Sequence, residues 1–125
     1  MVALNDLGTE QAQPTATTEK SLGMLFDYLS TYPNAVIQYV AGTMELKVES
    51  DASYLAVKGA KSRVASHFYL EPTRDYFNTT SQNGPIATKC VTLNNIVCSA
   101  AEGECGGLFH NCQKAIEIFR QLEAL

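Results

Sequence analysis

The chain has 125 residues, 46% hydrophobic and 18% charged, which fits one folded core and excludes a wholly disordered protein. Its 9 basic and 13 acidic residues give a net charge of -4, so nucleic acid is not held by overall charge and any such binding has to be local. No apolar run approaches the roughly 18–20 residues of a membrane span, and the start lacks the basic and apolar segments of a secretory signal. The expectation is an intracellular protein, cytoplasmic or nuclear, and not secreted.

Residues 1–17 are polar and poor in aromatics, with Gln11, Gln13, Pro14, Thr15 and Thr17 close together. They read as a disordered tail, because they bury too little apolar area to offset chain entropy. From Thr18, a plausible N-cap, Leu22, Leu25, Phe26 and Leu29 recur at helical spacing, and Pro33-Asn34 ends the helix. Ala35 to Val40 reads as a strand that turns at Gly42-Thr43 into a second strand from Met44 to Tyr54. In that second strand Met44, Leu46 and Val48 share one face. Glu45, Lys47, Glu49 and Asp51 share the other, because side chains alternate.

A third strand, Arg63 to Leu70, follows a Lys58-Gly59 turn. Residues 71–85 form a long loop, and a fourth β-like run covers Ile86 to Leu93. In the last third, Cys105, Leu108, Phe109, Cys112, Ala115, Ile116, Phe119 and Leu122 step by three and four, the period of a helix face turned to a core. Cys90, Cys98, Cys105 and Cys112 form no Cys-x-x-Cys pair and read as buried thiols; a zinc module is the remote alternative. The expected class is α+β, with a mostly antiparallel sheet of three to four strands packed by an N-terminal helix and a long C-terminal helix or helix pair.

Two carboxylate positions stand out: Asp51 near a strand end, and Glu102 with Glu104 at the start of the last helix. Hard divalent cations prefer carboxylate oxygens recruited from different elements. Each position has a plainer reading. Asp51 suits a strand end, and Ser99-Ala100-Ala101-Glu102 matches a capping box, which sequence chemistry alone favours. His67 and His110 read as packing or surface residues. Lys58, Lys61, Arg63 and Arg74 cluster around one hairpin and its exit, as a weak phosphate-binding patch or an ordinary solvated face.

The segments LSTYPNAVIQYVAGTMELKVESDASYL (29–55), KSRVASHFYL (61–70), NGPI (83–86) and SAAEGECGGLFHN (99–111) resemble, in order, the ribonuclease H region of copia-like retrotransposon polyproteins. The Ser-Asp-Ala-Ser-Tyr and Ser-Ala-Ala-Glu-x-Glu strings together carry the resemblance. It implies a partial ribonuclease H-like fold: residues 18–43 as a connector from the reverse transcriptase tail, and residues 44–125 as an incomplete ribonuclease H-like domain. It also implies two-metal hydrolysis of the RNA strand of an RNA–DNA hybrid, with Mg²⁺ or Mn²⁺ as cofactor and Asp51 and Glu102 as catalytic metal ligands. Glu104 is implied as a supporting ligand at most.

Three departures qualify what the resemblance implies. The chain reaches Leu125 before any Thr-Asp-Asn-like string that would supply the family's later aspartate, so the expectation is a fragment inactive by itself. Gly103, Gly106 and Gly107 each cost a helix interior about 0.5–1 kcal/mol and are expected to hold Glu102 loosely. No proline separates two C-terminal helices, which leaves one long helix or two open. Expected partners are the hybrid and the rest of a reverse transcriptase polyprotein. The alternative is a non-catalytic remnant, a folding or protein-interaction module that self-associates through an open sheet edge.

Overall fold

A computed structural model describes residues 2–57, 59–71 and 83–125, in the order α1 (Val2–Glu10), α2 (Ala16–Thr31), β1 (Glu45–Val57), β2 (Lys61–Glu71), β3 (Pro85–Thr92) and α3 (Ala100–Glu123). The class is α+β, with one antiparallel sheet ordered β1-β2-β3. The chain divides into two compact units, Met1–Ile37 and Gln38–Leu125.

In the first unit the structure departs from the sequence expectation at two points. Residues 2–10, expected within a disordered tail, form α1, although none of its residues is buried. Its helix formers act locally, and Thr18 Oγ1 of the next helix donates to the Glu10 carboxylate. The second helix starts earlier than Thr18. Thr15 is its N-cap and Thr18 the third helical residue, and the two exchange bonds: Thr18 N–H donates to Thr15 Oγ1 (3.3 Å), and Thr15 N–H to Thr18 Oγ1 (3.0 Å). A threonine at each end of the motif can cap, and the chain uses the first. The expected core face is mostly open, with Leu22, Phe26 and Leu29 all exposed.

No strand forms at residues 35–40, so the expected first hairpin is absent among the described residues. The Asn83 side chain holds this segment instead. Val40 N–H donates to Asn83 Oδ1 (2.9 Å), while Asn83 Nδ2 donates to the carbonyls of Val40 (3.1 Å) and Leu70 (2.6 Å). Gly84 N–H donates to the Gln38 carbonyl (3.0 Å). One buried amide thus satisfies backbone groups that a ladder would otherwise pair.

The hairpin from β1 to β2 forms as expected, in unbroken register from Glu45↔Glu71 to Ser53↔Arg63. An irregularity between Ser53 and Val57 follows, where Leu55 takes a positive φ of 52° and its N–H donates to the buried Ser62 hydroxyl (3.1 Å). The turn passes through Gly59 and Ala60, both at positive φ. β3 pairs with β2 from Arg63↔Thr92 to Phe68↔Ala87. The core centres on Val64, Leu93 and Val97, with Ala52 against it.

α3 is one helix, and it turns an unexpected face to the sheet. Its buried residues are Gly103, Gly107, Asn111 and Ile118. A Cβ at Gly107 would stand 3.2 Å from Val64 Cγ1, and Asn111 Nδ2 donates to Ser50 Oγ (2.7 Å). Small residues let helix and sheet approach closely, so the bulkier stripe is displaced outward: Leu108, Phe109, Ile116 and Phe119 are 52–61% exposed. The expected buried thiols are corrected with it. Cys98, Cys105 and Cys112 are exposed and Cys90 is half-buried, and none of the four forms a disulfide.

Candidate functional site

Ser50 and Ala52 of β1 meet α3, through Asn111 and Gly103 respectively. By strand alternation the side chains of Glu45, Lys47, Glu49 and Asp51 lie on the opposite sheet face. The first turn of α3 is set down beside Ala52: a Cβ on Gly103 would lie 4.0 Å from Ala52 Cβ, and Ala52 N–H donates to Glu104 Oε1 (3.3 Å). Asp51, Glu102 and Glu104 are therefore drawn to one junction, where the strand bearing the aspartate meets the turn bearing both glutamates.

At this junction two of the carboxylates already have partners. The Ser99 hydroxyl accepts from Glu102 N–H (3.1 Å), and Glu102 Oε2 accepts from Cys98 N–H (2.6 Å), one residue before the N-cap. This is the expected cap with its return bond moved back by one residue. It puts a negative charge where the helix dipole favours it. Glu104 closes the N–H of Ala52, which points away from β2. Asp51 is exposed on the other face. Among the described residues no group of three His, Cys, Asp or Glu is placed to share a metal ion. As positioned, these donors do not fit a pair of divalent cations, because both glutamates hold backbone N–H groups and Asp51 faces away from the helix.

The aspartate's face carries its own network. Lys47 Nζ pairs with the Glu71 carboxylate at 3.4 Å. The Tyr69 hydroxyl donates to Glu49, and burial first, then the charges of Glu49 and Glu71, push its pKa up. His67 is directly opposite Glu49 in the register, half-buried, and stacks obliquely on Tyr69 with ring centroids 6.0 Å apart. His110 lies on α3, and its carbonyl accepts from Lys89 Nζ (3.3 Å).

Of the basic cluster expected from the sequence, two residues, Lys61 and Arg63, are described. Arg63 is buried in the central strand, where a phosphate cannot reach it freely, and Lys61 alone is exposed. Lys58 and Arg74 lie outside the described residues. A cleft of about 700 Å³ in the second unit lies away from the carboxylates. It lies towards the far end of α3 and is lined by Met44, Leu46, Ile116, Phe119, Leu122 and Leu125, among others.

Sequence reasoning passed over Asn83 and Asn111. Asn83 read as a turn residue before Gly84-Pro85, although its amide holds two segments together. Asn111 had a signal: Gly103, Gly107 and Asn111 recur every four residues, the spacing of a close-packed face. No helix among the described residues is long and apolar enough to cross a membrane. Compared with protein-family models, curated proteins and solved structures, the chain matches none.

Proposed function

We propose that this chain is a ribonuclease H-like module by descent that does not cleave an RNA–DNA hybrid by itself. The observation that carries the reading is the junction at Ala52, where the strand holding Asp51 meets the helix turn holding Glu102 and Glu104. Three antiparallel strands followed by a helix crossing β1 give that junction. The Ser-Asp-Ala-Ser-Tyr and Ser-Ala-Ala-Glu-x-Glu strings thus lie together, although they are about fifty residues apart in sequence.

Hydrolysis of a phosphodiester by Mg²⁺ needs carboxylates free to bind, placed to hold ions at both the attacking and the leaving oxygen. Here Glu102 serves as a cap and Glu104 closes a strand N–H. Asp51 and Glu102 are the ligands the resemblance implies for Mg²⁺ or Mn²⁺, but Asp51 faces away from the helix and Glu102 holds the Cys98 N–H. The hybrid and the remainder of a reverse transcriptase polyprotein are the partners that this reading implies.

The assay is incubation of the purified chain with a labelled RNA–DNA hybrid in Mg²⁺. The expected result is no cleavage above the protein-free control. Cleavage of the RNA strand that Asp51→Asn abolishes would overturn the proposal that the chain is inactive alone.

A further inference from the structure

β1 is an edge strand, and the hydrogen-bond pattern shows which of its groups face outward. Ala52 N–H points away from β2, since it donates to Glu104. Antiparallel pairing alternates with a period of two, and the register is unbroken from Glu45 to Ser53, so the N–H groups of Leu46, Val48 and Ser50 point the same way. Among the described residues no strand pairs with this edge. Glu104 closes it at Ala52, which leaves residues 46–50 without a strand partner among the described residues. The other edge of the sheet is β3, which carries Pro85 and Lys89, residue types that discourage strand addition.

The two sides of the open edge differ in chemistry. On the α3 side it adjoins the mainly apolar cleft of Met44, Leu46, Ile116, Phe119, Leu122 and Leu125, which Glu45 and Glu123 also line. On the other side are Glu45, Glu49 and Asp51, with Lys47 turned to Glu71. An added strand sends alternate side chains to these two sides, about 4.5–5.5 Å from their neighbours on β1. We propose that the β1 edge takes up an extended segment of a partner protein with alternating apolar and basic residues, the apolar ones entering the cleft and the basic ones facing Glu45, Glu49 and Asp51. This goes beyond the ribonuclease reading and does not rest on it.

A second copy of the chain suits the edge less well. Antiparallel self-pairing about Val48 sets Asp51 against Glu45 of the other copy. Pairing about Lys47 sets Glu45 against Glu49, and pairing about Glu49 sets that residue against itself. Like charges directly opposite one another destabilise a strand pair.

The probe is a short fluorescent peptide of alternating lysine and valine, added to the full chain and followed by anisotropy and by amide hydrogen exchange. Saturable binding that salt weakens is expected, with new protection at the amides of Leu46, Val48 and Ser50. Glu49→Lys, at an exposed position, is expected to weaken binding about tenfold while leaving the far-ultraviolet circular dichroism unchanged. A peptide of alternating glutamate and valine should not bind. Equal binding of the two peptides, protection on β3 in place of β1, or a chain that self-associates through β1 and ignores the lysine peptide would each overturn the proposal.

Discussion

Tyr69 shows how the face bearing Asp51 is held together. The residue as a whole is buried, its hydroxyl lies beside Glu49 and near Glu71, and its pKa lies above the usual 10.0. The folded state thus favours the neutral phenol. Stability from this group is fully present below pH 10 and is lost as the pH climbs through the raised value in the fold. Wild type should therefore lose stability in the alkaline range more steeply than Tyr69→Phe. Glu49→Gln should move the phenol back towards its ordinary value. Denaturant midpoints across the alkaline range, with the ultraviolet absorbance of phenolate, check both. At the same scale the acidic side chains divide by role: Glu102 caps, Glu104 closes an N–H, Glu49 accepts from a phenol, and Asp51 is exposed.

Among the elements, α3 bears most on the junction, and its glycines are not equivalent. A Cβ at Gly107 would meet Val64 Cγ1 and Cγ2 at 3.2 and 3.3 Å, and Val64 is fully buried between helix and sheet. Gly107→Ala is expected to destabilise the fold by about 1–2 kcal/mol, since the overpacking exceeds the gain in helix propensity. A Cβ at Gly106 would meet only Leu93 Cδ1 at 3.5 Å, an ordinary contact. Gly106→Ala should stabilise by about 0.5–1 kcal/mol. Denaturant unfolding of the two variants separates a glycine kept for close approach from one that is not. The long helix, the hairpin from β1 to β2 and β3 were legible because their periodicity and turn residues agree. The face of α3 was not legible, because apolar side chains at helical spacing mark an amphipathic helix without stating which side meets the sheet. Here the small-residue face does, since only glycine admits Val64 so closely. The strand expected at residues 35–40 failed for a related reason: β-branched and aromatic residues favour pairing, but the backbone partner offered to them is the Asn83 amide.

For the whole molecule, topology decides what the carboxylates can do. Asp51 and Glu102 were singled out as a pair by the resemblance alone, and the fold brings their elements together. Which face of the sheet Asp51 occupies was legible too, from alternation along β1. What the sequence left open was whether Glu102 caps or is free for a metal, because Ser-Ala-Ala-Glu is a capping box and also part of the string that carries the resemblance. The fold places it on the Cys98 N–H. Removing that bond by Glu102→Ala should cost about 0.5–1 kcal/mol, a typical net value for an exposed hydrogen bond at a helix start. The direct measurement is thermal unfolding of the full chain with and without millimolar Mg²⁺, wild type beside Glu102→Ala and Asp51→Asn. A ligand that binds only the folded state raises the melting temperature. With Glu102 held in its cap, the wild-type Tm is expected to be unchanged in Mg²⁺ and that of Glu102→Ala to be lower in either condition. A Mg²⁺-dependent rise in the wild-type Tm that disappears in Asp51→Asn would contradict that expectation.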